Sequence, residues 1–351
     1  MTGVSILGCA SYIGSRVVGN EFLEDKLGFR RGTIEKRTGI KERRWAEEHE
    51  TVQYMAEQTV AKMASAMPVD IDAVIIAHDV VLTKRAEVLL PGIKQVLRHY
   101  DRRADRCYSI NIYNYCPGFV HGINMAQGLV RSEQARNVLV VAAANYNDII
   151  ELDEAFNNNM QHILNPESQL IERLTKAKGD VQFQAPRLNA FLWGSGAGAV
   201  VVGKSDEDRI LHFEAQGSKH QAEAFIFGES YTGQNFCALD GPAIYKYGVE
   251  EVPEFIRGLV ERAGLTLKDI DHFIPHQPHP RMLASILERL PELKDKTHIS
   301  CDTLGNTAVA AIPITYDLAG KSHKIKRWQK VLMCGFGDQY LTVNGLIFEE
   351  R

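Results

Sequence analysis

The sequence of 351 residues lacks the features that mark membrane, secreted or nucleic-acid-binding proteins. No apolar run approaches the ~20 residues that a membrane-spanning helix needs. The 40 lysines and arginines nearly balance the 44 aspartates and glutamates, so we predict no basic surface for nucleic acid or for anionic lipid. The N-terminal residues carry no basic segment and look like a β-strand, so we expect no signal peptide.

Cysteine is scarce and scattered, and no CxxC pair occurs. A disulfide framework and a zinc ribbon are therefore not expected, and a reducing cytoplasm is the predicted setting. Most of the thiols should be buried and inert. The six positions are Cys9, Cys107, Cys116, Cys237, Cys301 and Cys334.

Apolar runs typical of buried strands alternate with amphipathic helical runs along the chain, which predicts an α/β protein. The polar stretch 151–182 reads as an insertion with one helix. Strands are predicted at 4–9, 73–77, 108–112, 138–142, 198–202, 210–215, 272–275 and 331–335. Helices are predicted at 51–66, 117–130, 249–263, 280–290 and 309–318.

The two halves of the chain echo each other. An acidic turn followed by an apolar strand occurs at 70–78 and again at 269–276, and 137–139 is repeated at 330–332. Because both echoes keep their order, they favour a duplicated α/β unit over two unrelated domains. We predict an N-terminal half at 1–190 and a C-terminal half at 191–351, with a site where they meet.

Cys116 stands at the end of an alternating run and directly before Pro117 and Gly118. Proline fits the first turn of a helix, where its missing N–H costs nothing. The positive end of that helix would favour a nucleophilic thiolate at Cys116. A buried core cysteine at a strand–helix junction is the alternative.

His272, His276 and His279 have a spacing that would form a metal-binding face on a helix. Pro275, Pro278 and further prolines prevent that helix, so no metal site is predicted. A rigid loop that presents His276 to a cleft fits better, although a lone histidine is often structural. Asn306 follows Gly305, which by itself indicates only a turn.

Two further segments carry alternatives. Residues 194–198 are glycine-rich but do not form GxGxxG and lead into a strand, so they do not predict a dinucleotide site. Residues 30–44 concentrate basic side chains, which form either a solvated surface or a patch for phosphates.

Taken together, these motifs resemble β-ketoacyl-acyl-carrier-protein synthase III and its relatives in the thiolase superfamily. The resemblance spans nearly the whole chain and rests on residues 37–43, 116–119, 276–281 and 305–307. It implies a five-layered α-β-α-β-α fold with two pseudo-twofold related halves, usually as a homodimer.

The resemblance also implies site residues. Cys116 would take up an acyl group, and His276 and Asn306 would stabilise the enolate formed from a malonyl-type thioester. The substrates would be coenzyme A or phosphopantetheine thioesters, with no permanently bound cofactor. Residues matching positions that contact the thioester carrier's phosphates or phosphopantetheine arm are Arg37, Arg187, Gly241 and His279. Residues matching the surface for an acyl carrier protein are Lys246, Arg281 and Arg289.

Several positions depart from the family's housekeeping pattern, namely Thr33, Leu90, His279, residues 337–340 and the long stretch 151–182. They favour a specialised relative in fatty-acid or secondary metabolism. The predicted function is a decarboxylative Claisen-condensing acyltransferase. The alternatives are a non-decarboxylating transferase to another nucleophile and a silent subunit of a heteromeric synthase.

Overall fold

The computed structural model describes residues 3–67, 69–78, 86–100, 104–146, 191–218, 225–229, 235–239, 241–338 and 341–351. Side chains of 86–88, 225–229 and 235–239 are not part of this description. The predicted insertion at 151–182 and Arg187 lie outside the described residues.

The first sheet has five strands and lies in the N-terminal part of the molecule. Its spatial order is β1 (Gly3–Ile13), β7 (Gly196–Ser205), β6 (Asn137–Ala144), β4 (Ala73–His78) and β5 (Tyr108–Tyr113). Strand β4 is parallel to β5 and β6, whereas β7 runs antiparallel to β6 and β1. Every residue of β4 and β6 is buried, as expected for strands covered on both faces.

The second sheet repeats this arrangement. Its order is β8 (Ile210–Gln216), β13 (Val343–Glu349), β12 (Lys330–Phe336) and β11 (His272–Pro275). A parallel bridge from Phe273 to Thr297 supplies the fifth position. Counted along each half, both sheets read 1-5-4-2-3 with the same parallel and antiparallel neighbours. This common topology confirms the predicted pair of pseudo-twofold related halves.

Helices form three layers around the two sheets. Helices α5 (Gly118–Arg131) and α9 (Ala311–Lys321) each contact both sheets and lie between them. On the outer face of the first sheet lie α3 (Val52–Ala66) and α4 (Ala86–Leu97). On the outer face of the second sheet lie α6 (Gly241–Arg262) and α7 (Pro280–Glu288). The layers therefore read α-β-α-β-α, as predicted.

Shorter elements complete the described part of the chain. Beside the first sheet, strands β2 (Arg16–Gly19) and β3 (Glu42–Trp45) form a hairpin-like pair with α1 (Asn20–Leu27) and α2 (Thr33–Thr38) between them. Helix α8 (Cys301–Leu304) and a 3-10 turn at Ala308–Ala310 flank Asn306. Strands β9 (Phe225–Glu229) and β10 (Asn235–Leu239) pair with each other.

All eight predicted strands form, and so do the five predicted helices. Helix α6 begins at Gly241, eight residues before the predicted start at 249, because Pro242 is compatible with a first helical turn. Strand β7 begins after residue 190 but completes the first sheet through β1 and β6. We therefore propose that the division between the halves falls after Ser205 rather than at 190. Among the described helices, none is long and apolar enough to span a membrane.

Candidate active site

Cys116 lies where β5 gives way to α5. Tyr115 before it has a left-handed backbone (φ 46°), and Pro117 after it is the N-cap of α5. The N–H of Gly118 donates to the Tyr115 carbonyl at 2.9 Å, which closes this tight turn. The thiol is half-buried at the positive end of the helix, where the helix dipole favours a thiolate.

The turn that carries Cys116 is anchored on the second sheet. Asn344 Nδ2 donates to the Pro117 carbonyl at 2.9 Å. A Cβ at Gly335 would come within 2.8 Å of the Pro117 Cα, so glycine is needed for β12 to approach so closely. The nucleophile of the first half is thereby fixed by two strands of the second half.

The other described cysteines are poor nucleophiles. Burial raises the pKa of the Cys9, Cys301 and Cys334 thiols, and Cys107 is also buried. Because the thiolate is the reactive form, Cys116 is the thiol best suited to attack. The side chain of Cys237 lies outside the described residues.

His276 follows β11 and is only 3% exposed. Its backbone N–H donates to the Cys334 carbonyl at 2.7 Å, and its ring packs edge-on against Phe336. Burial lowers the pKa of His276 to about 3. Nδ1 is buried without a hydrogen-bond partner among the described residues, which leaves Nε2 as the nitrogen available to a substrate. The ring is a neutral donor at physiological pH.

Asn306 is held by its backbone and its side chain. Its N–H donates to the Leu192 carbonyl at 2.7 Å, and its carbonyl accepts from Gly194 at 2.9 Å. Its Oδ1 accepts the N–H of Ala308 at 2.8 Å. Since Ala308 N–H can only donate, the carboxamide orientation is fixed. The Nδ2 amide nitrogen is therefore the part of the carboxamide left to donate a hydrogen bond to a ligand.

One cavity of about 120 Å³ brings these three side chains together. It is lined by Cys116, Leu192, Trp193, Gly241, Ile244, Tyr245, His276, Pro278, His279, Met282, Asn306, Phe336, Gly337 and Asp338. The site therefore combines a thiol at a helix start with a neutral imidazole and an amide donor in a mainly apolar enclosure. No group of His, Cys, Asp and Glu suited to a metal ion occurs among the described residues.

Comparisons with known proteins show which proteins the chain is similar to. The family "3-oxoacyl-[acyl-carrier-protein] synthase III" matches residues 110–163, and the C-terminal region of the same synthase matches 260–348. The β-ketoacyl-[acyl-carrier-protein] synthase III of Staphylococcus haemolyticus is 29% identical over 338 residues, which are 95% of each chain. The chain is therefore similar to β-ketoacyl-acyl-carrier-protein synthase III over nearly its whole length, which confirms the resemblance seen in the sequence.

Solved structures of synthase III enzymes share the fold. The enzyme from Aquifex aeolicus superposes with a TM-score of 0.78 at 27% identity, covering 99% of this chain and 100% of that one. The priming β-ketosynthase of the R1128 polyketide pathway gives 0.81 at 25% identity, covering 99% and 96%. OleA of Xanthomonas campestris has the same fold at 17% identity, with a TM-score of 0.79. The predicted thiolase-like fold and the assignment as a synthase III-like acyltransferase are confirmed.

His279 of this synthase III-like chain lines the cavity, but both of its ring nitrogens are already engaged. Nδ1 accepts the N–H of Met282 at 3.2 Å and so caps α7. The other nitrogen donates to the backbone of Thr38. Burial lowers the pKa of His279 to about 4. The ring thus borders the cavity, while its hydrogen bonds tie α7 to α2.

Arg37 and Arg281 lie on two helices that touch each other. Arg37 is exposed in the last turn of α2, and Arg281 is exposed in the first turn of α7. The two helices touch where Gly39 faces Pro280, with room for no Cβ at Gly39. The structure thus brings these two predicted basic residues to adjoining segments beside His279.

The remaining predicted surface residues lie on α6 and α7. Gly241 is the first residue of α6 and lines the cavity. Lys246 is exposed one residue after Tyr245, whose hydroxyl is 2.7 Å from the hydroxyl of Ser285 on α7. Arg289 is exposed at the C-cap of α7.

Several cavity residues escaped the sequence-based prediction. Trp193, Phe336 and Met282 line the cavity but look like ordinary core residues in the sequence. Trp193 stacks on Tyr146 with ring centroids 4.3 Å apart. A signal was available for Trp193 alone, because it directly precedes the glycine-rich segment at 194–198.

Proposed function

We propose that this chain loads an acyl group on Cys116 and condenses it with a malonyl-type thioester by a decarboxylative Claisen reaction. One observation carries the proposal. Cys116, His276 and Asn306 line a single cavity, and Asn306 is oriented with Oδ1 on Ala308, so its amine is the free donor. Two neutral donors beside an acylated thiol suit an enolate intermediate.

In the first step the Cys116 thiolate attacks the carbonyl carbon of the donor thioester. A new C–S bond forms, the old C–S bond breaks, and the leaving thiolate takes up a proton. The backbone N–H of Cys116 would supply one arm of the oxyanion hole. Placement at the helix start supports this step, because helix dipole and backbone donors both favour negative charge.

In the second step a malonyl thioester loses CO₂ as its C–C bond breaks. The electron pair becomes an enolate, whose oxygen would accept from His276 Nε2–H and Asn306 Nδ2–H. The carbanion then attacks the acyl-Cys116 carbonyl and expels the thiolate, which leaves a β-ketoacyl thioester. A pKa of about 3 at His276 supports its role as a neutral donor.

The thioesters would be carried by coenzyme A or by an acyl carrier protein, and no permanent cofactor is proposed. Arg37 and Arg187 would contact phosphates, Gly241 and His279 would border the pantetheine arm, and the exposed Lys246, Arg281 and Arg289 would meet an acidic carrier. The exposure of Arg37 and Arg281 on adjoining segments near the cavity-lining His279 supports this surface.

The departures at Thr33, Leu90, His279 and 337–340 support a specialised role in fatty-acid or secondary metabolism. The likeness at 25% identity to a priming ketosynthase of a polyketide pathway points the same way. We also propose a cytoplasmic homodimer. Among the described strands, β5 lies at the edge of the first sheet and exposes Tyr108 and Tyr113, and such an edge can pair with a strand of a second copy.

The test separates loading from condensation. Asn306→Ala should leave acylation of Cys116 within a few-fold of the parent, because loading does not use the amide. Condensation with a malonyl thioester should fall about 10²–10³-fold, the usual loss for one oxyanion donor. Asn306→Asp should be at least as slow, since a carboxylate repels the enolate at nearly the same size. Intact-protein mass spectrometry follows loading, and product analysis follows condensation.

Asn124→Ala is the matched control, because among the described residues its side chain bonds Gln127 on α5 and it does not line the cavity. Peptide mapping should place the acyl group on Cys116. Condensation by Asn306→Ala at the parent rate would refute the decarboxylative assignment and favour a non-decarboxylating transferase. A stoichiometric thioester on Cys107, Cys237 or Cys301 would refute the choice of nucleophile.

A further inference from the structure

Asn306 sits in a loop that the first half of the molecule holds in place. Its backbone pairs with residues 192–194 through two hydrogen bonds, and the pairing forms a parallel bridge at Trp193. Residues 191–195 are in turn bonded to β3. The arrangement therefore runs from β3 to the segment 191–195 and from there to Asn306.

Arg43 in β3 provides the first contact. Its side chain is completely buried, and its Nε and Nη2 both donate to the Phe191 carbonyl, at 3.2 and 3.0 Å. Nη1 donates to the Val18 carbonyl at 3.0 Å, and Nη2 also donates to Asn20 Oδ1 at 2.7 Å. A guanidinium with these neutral acceptors ties β3 to two other segments, one at residues 18–20 and one at Phe191.

Two neighbours of Arg43 add to the support. Trp45 Nε1 donates to the Trp193 carbonyl at 3.0 Å, and the Arg44 carbonyl accepts the N–H of Ser195 at 2.7 Å. Every described link from β3 to 191–195 thus uses a carbonyl or N–H of the segment that pairs with Asn306.

Arg43 also packs directly against the loop that carries Asn306. Gly305 has φ 72°, and a Cβ there would come within 2.8 Å of the Arg43 Cβ and 2.9 Å of the Leu192 carbonyl oxygen. The loop therefore rests directly on the arginine stem and on the supported segment. Neither Arg43 nor Trp45 lines the cavity, so neither touches a substrate there.

We propose that Arg43 and Trp45 are positioning residues for the condensation step, which hold the amine of Asn306 at the enolate through the segment 191–195. The inference rests on the proposed function, because it assigns these residues to the step that uses Asn306. It predicts that their loss impairs condensation and spares the loading of Cys116, whose turn is anchored separately by Asn344 and Gly335.

The sharpest variant is Trp45→Phe, which keeps an aromatic ring in the cluster with Val18 and Leu23 but removes the bond to the Trp193 carbonyl. Small displacements of a catalytic group can lower rates up to about 100-fold, and we expect kcat for condensation to fall about 10-fold. KM for the malonyl thioester and the rate of Cys116 acylation should stay within about 2-fold. Rates are normalised to the acylatable Cys116, so that a loss of folded protein is not counted.

Tyr316→Phe is the matched control. It removes a hydrogen-bond donor from another buried aromatic side chain, because the Tyr316 hydroxyl donates to Glu350. Both loading and condensation should be unchanged. Arg43→Lys is the second variant and should resemble Trp45→Phe; if it does not fold, Trp45→Phe carries the test alone. In a double variant with Asn306→Ala, Trp45→Phe should slow condensation no further, because residues that act through one group are not additive.

Condensation by Trp45→Phe at the parent rate, or an equal loss of loading and condensation, would overturn the positioning role while leaving the proposed function intact. A parent enzyme that loads Cys116 but does not condense malonyl thioesters would instead refute the proposed function. Crystal structures of the parent and Trp45→Phe then decide positioning independently: a displaced Asn306 carboxamide supports it, and an unmoved one overturns it.

Discussion

At the scale of single residues, His276 and Asn306 reach the same role by opposite means. Asn306 is fixed by hydrogen bonds at its backbone N–H, its backbone carbonyl and its side-chain Oδ1, so that only Nδ2 is left. His276 is fixed mainly by packing, and its Nδ1 has no partner among the described residues. Because Nδ1 has no acceptor, a second proton there would create a buried charge that no hydrogen bond stabilises. Burial therefore lowers the pKa of His276 strongly.

This burial predicts a pH profile for the condensation step. The pKa of His276 is lowered from 6.5 to about 3, so the ring is neutral above that value and keeps its Nε2–H. With enzyme already acylated on Cys116, the condensation rate should show no histidine ionisation between about pH 5 and pH 8, because the ring of His276 stays neutral throughout that range. Rapid-mixing assays across that range would measure it. A limb centred near pH 6.5 would contradict it.

The three central side chains could be predicted from the sequence only through the combined motifs that resemble synthase III, because each local signal alone also fitted a core cysteine, a structural histidine or a simple turn. The walls of the cavity could not. Trp193, Phe336 and Met282 come from distant segments, and their meeting depends on long-range packing.

At the scale of elements, α7 connects the predicted carrier surface to the cavity. Its N-cap His279 lines the cavity, its first turn exposes Arg281, and its C-cap is the exposed Arg289. Nine helical residues separate the caps, so at ~1.5 Å per residue the helix spans about 14 Å. A docked carrier that contacts both arginines would lie along α7 with its pantetheine arm entering beside His279.

Charge reversal tests this geometry. Arg281→Glu should lower acyl transfer from an acidic carrier protein about 10-fold or more at low salt, and transfer from a small acyl thioester less than 2-fold, since exposed charge mainly sets encounter rates. Raising the salt concentration should reduce the difference between the losses measured with the carrier protein and with the small thioester. Lys326→Glu is the control. The backbone of Lys326 bonds Gln329, which also contacts His272 at the start of β11. Lys326 therefore lies near the opposite end of β11 from His276. Equal losses with both donors would argue against carrier docking here.

Elements differ in how clearly the sequence announces them. The buried strands β4 and β6 are continuous apolar runs, and both were predicted. Strand β13 was not, because Asn344 and Gly345 interrupt its apolar pattern. The structure explains the interruption: Asn344 bonds the Pro117 carbonyl, and Gly345 makes room for Leu259 and Phe255. A functional contact and a close packing contact therefore interrupt the apolar run by which a buried strand is recognised in a sequence.

At the scale of the whole molecule, buried neutral histidines tie stability to pH. Burial lowers the pKa of His276 to about 3 and those of His279 and His298 to about 4. Histidines of the unfolded chain titrate near ~6.5. Below that pH the unfolded chain binds more protons than the folded one, so the free energy of unfolding decreases as the pH falls from about 6.5 toward 4.

The expected result is a lower Tm on acidification, by on the order of 5 °C between pH 7 and pH 5.5. His279→Asn should reduce this dependence, because asparagine can still cap α7 but does not titrate. Differential scanning calorimetry of both proteins would show it, with His323→Asn as the control at an exposed histidine with φ 53°. An unchanged pH dependence in His279→Asn would refute the assignment.

The placement of β7 also has a consequence for how the chain is made. Strand β1 begins at Gly3, and its partner β7 ends at Ser205. On a ribosome that adds about 5–20 residues per second, β1 waits on the order of ten seconds or more before its partner is synthesised. Once β6 has been synthesised it also lacks its neighbour until β7 follows, and both strands then present unpaired edges. Folding of the first half during translation therefore depends on protection of these edges, by chaperones or by the nascent chain itself, until Ser205 has left the exit tunnel.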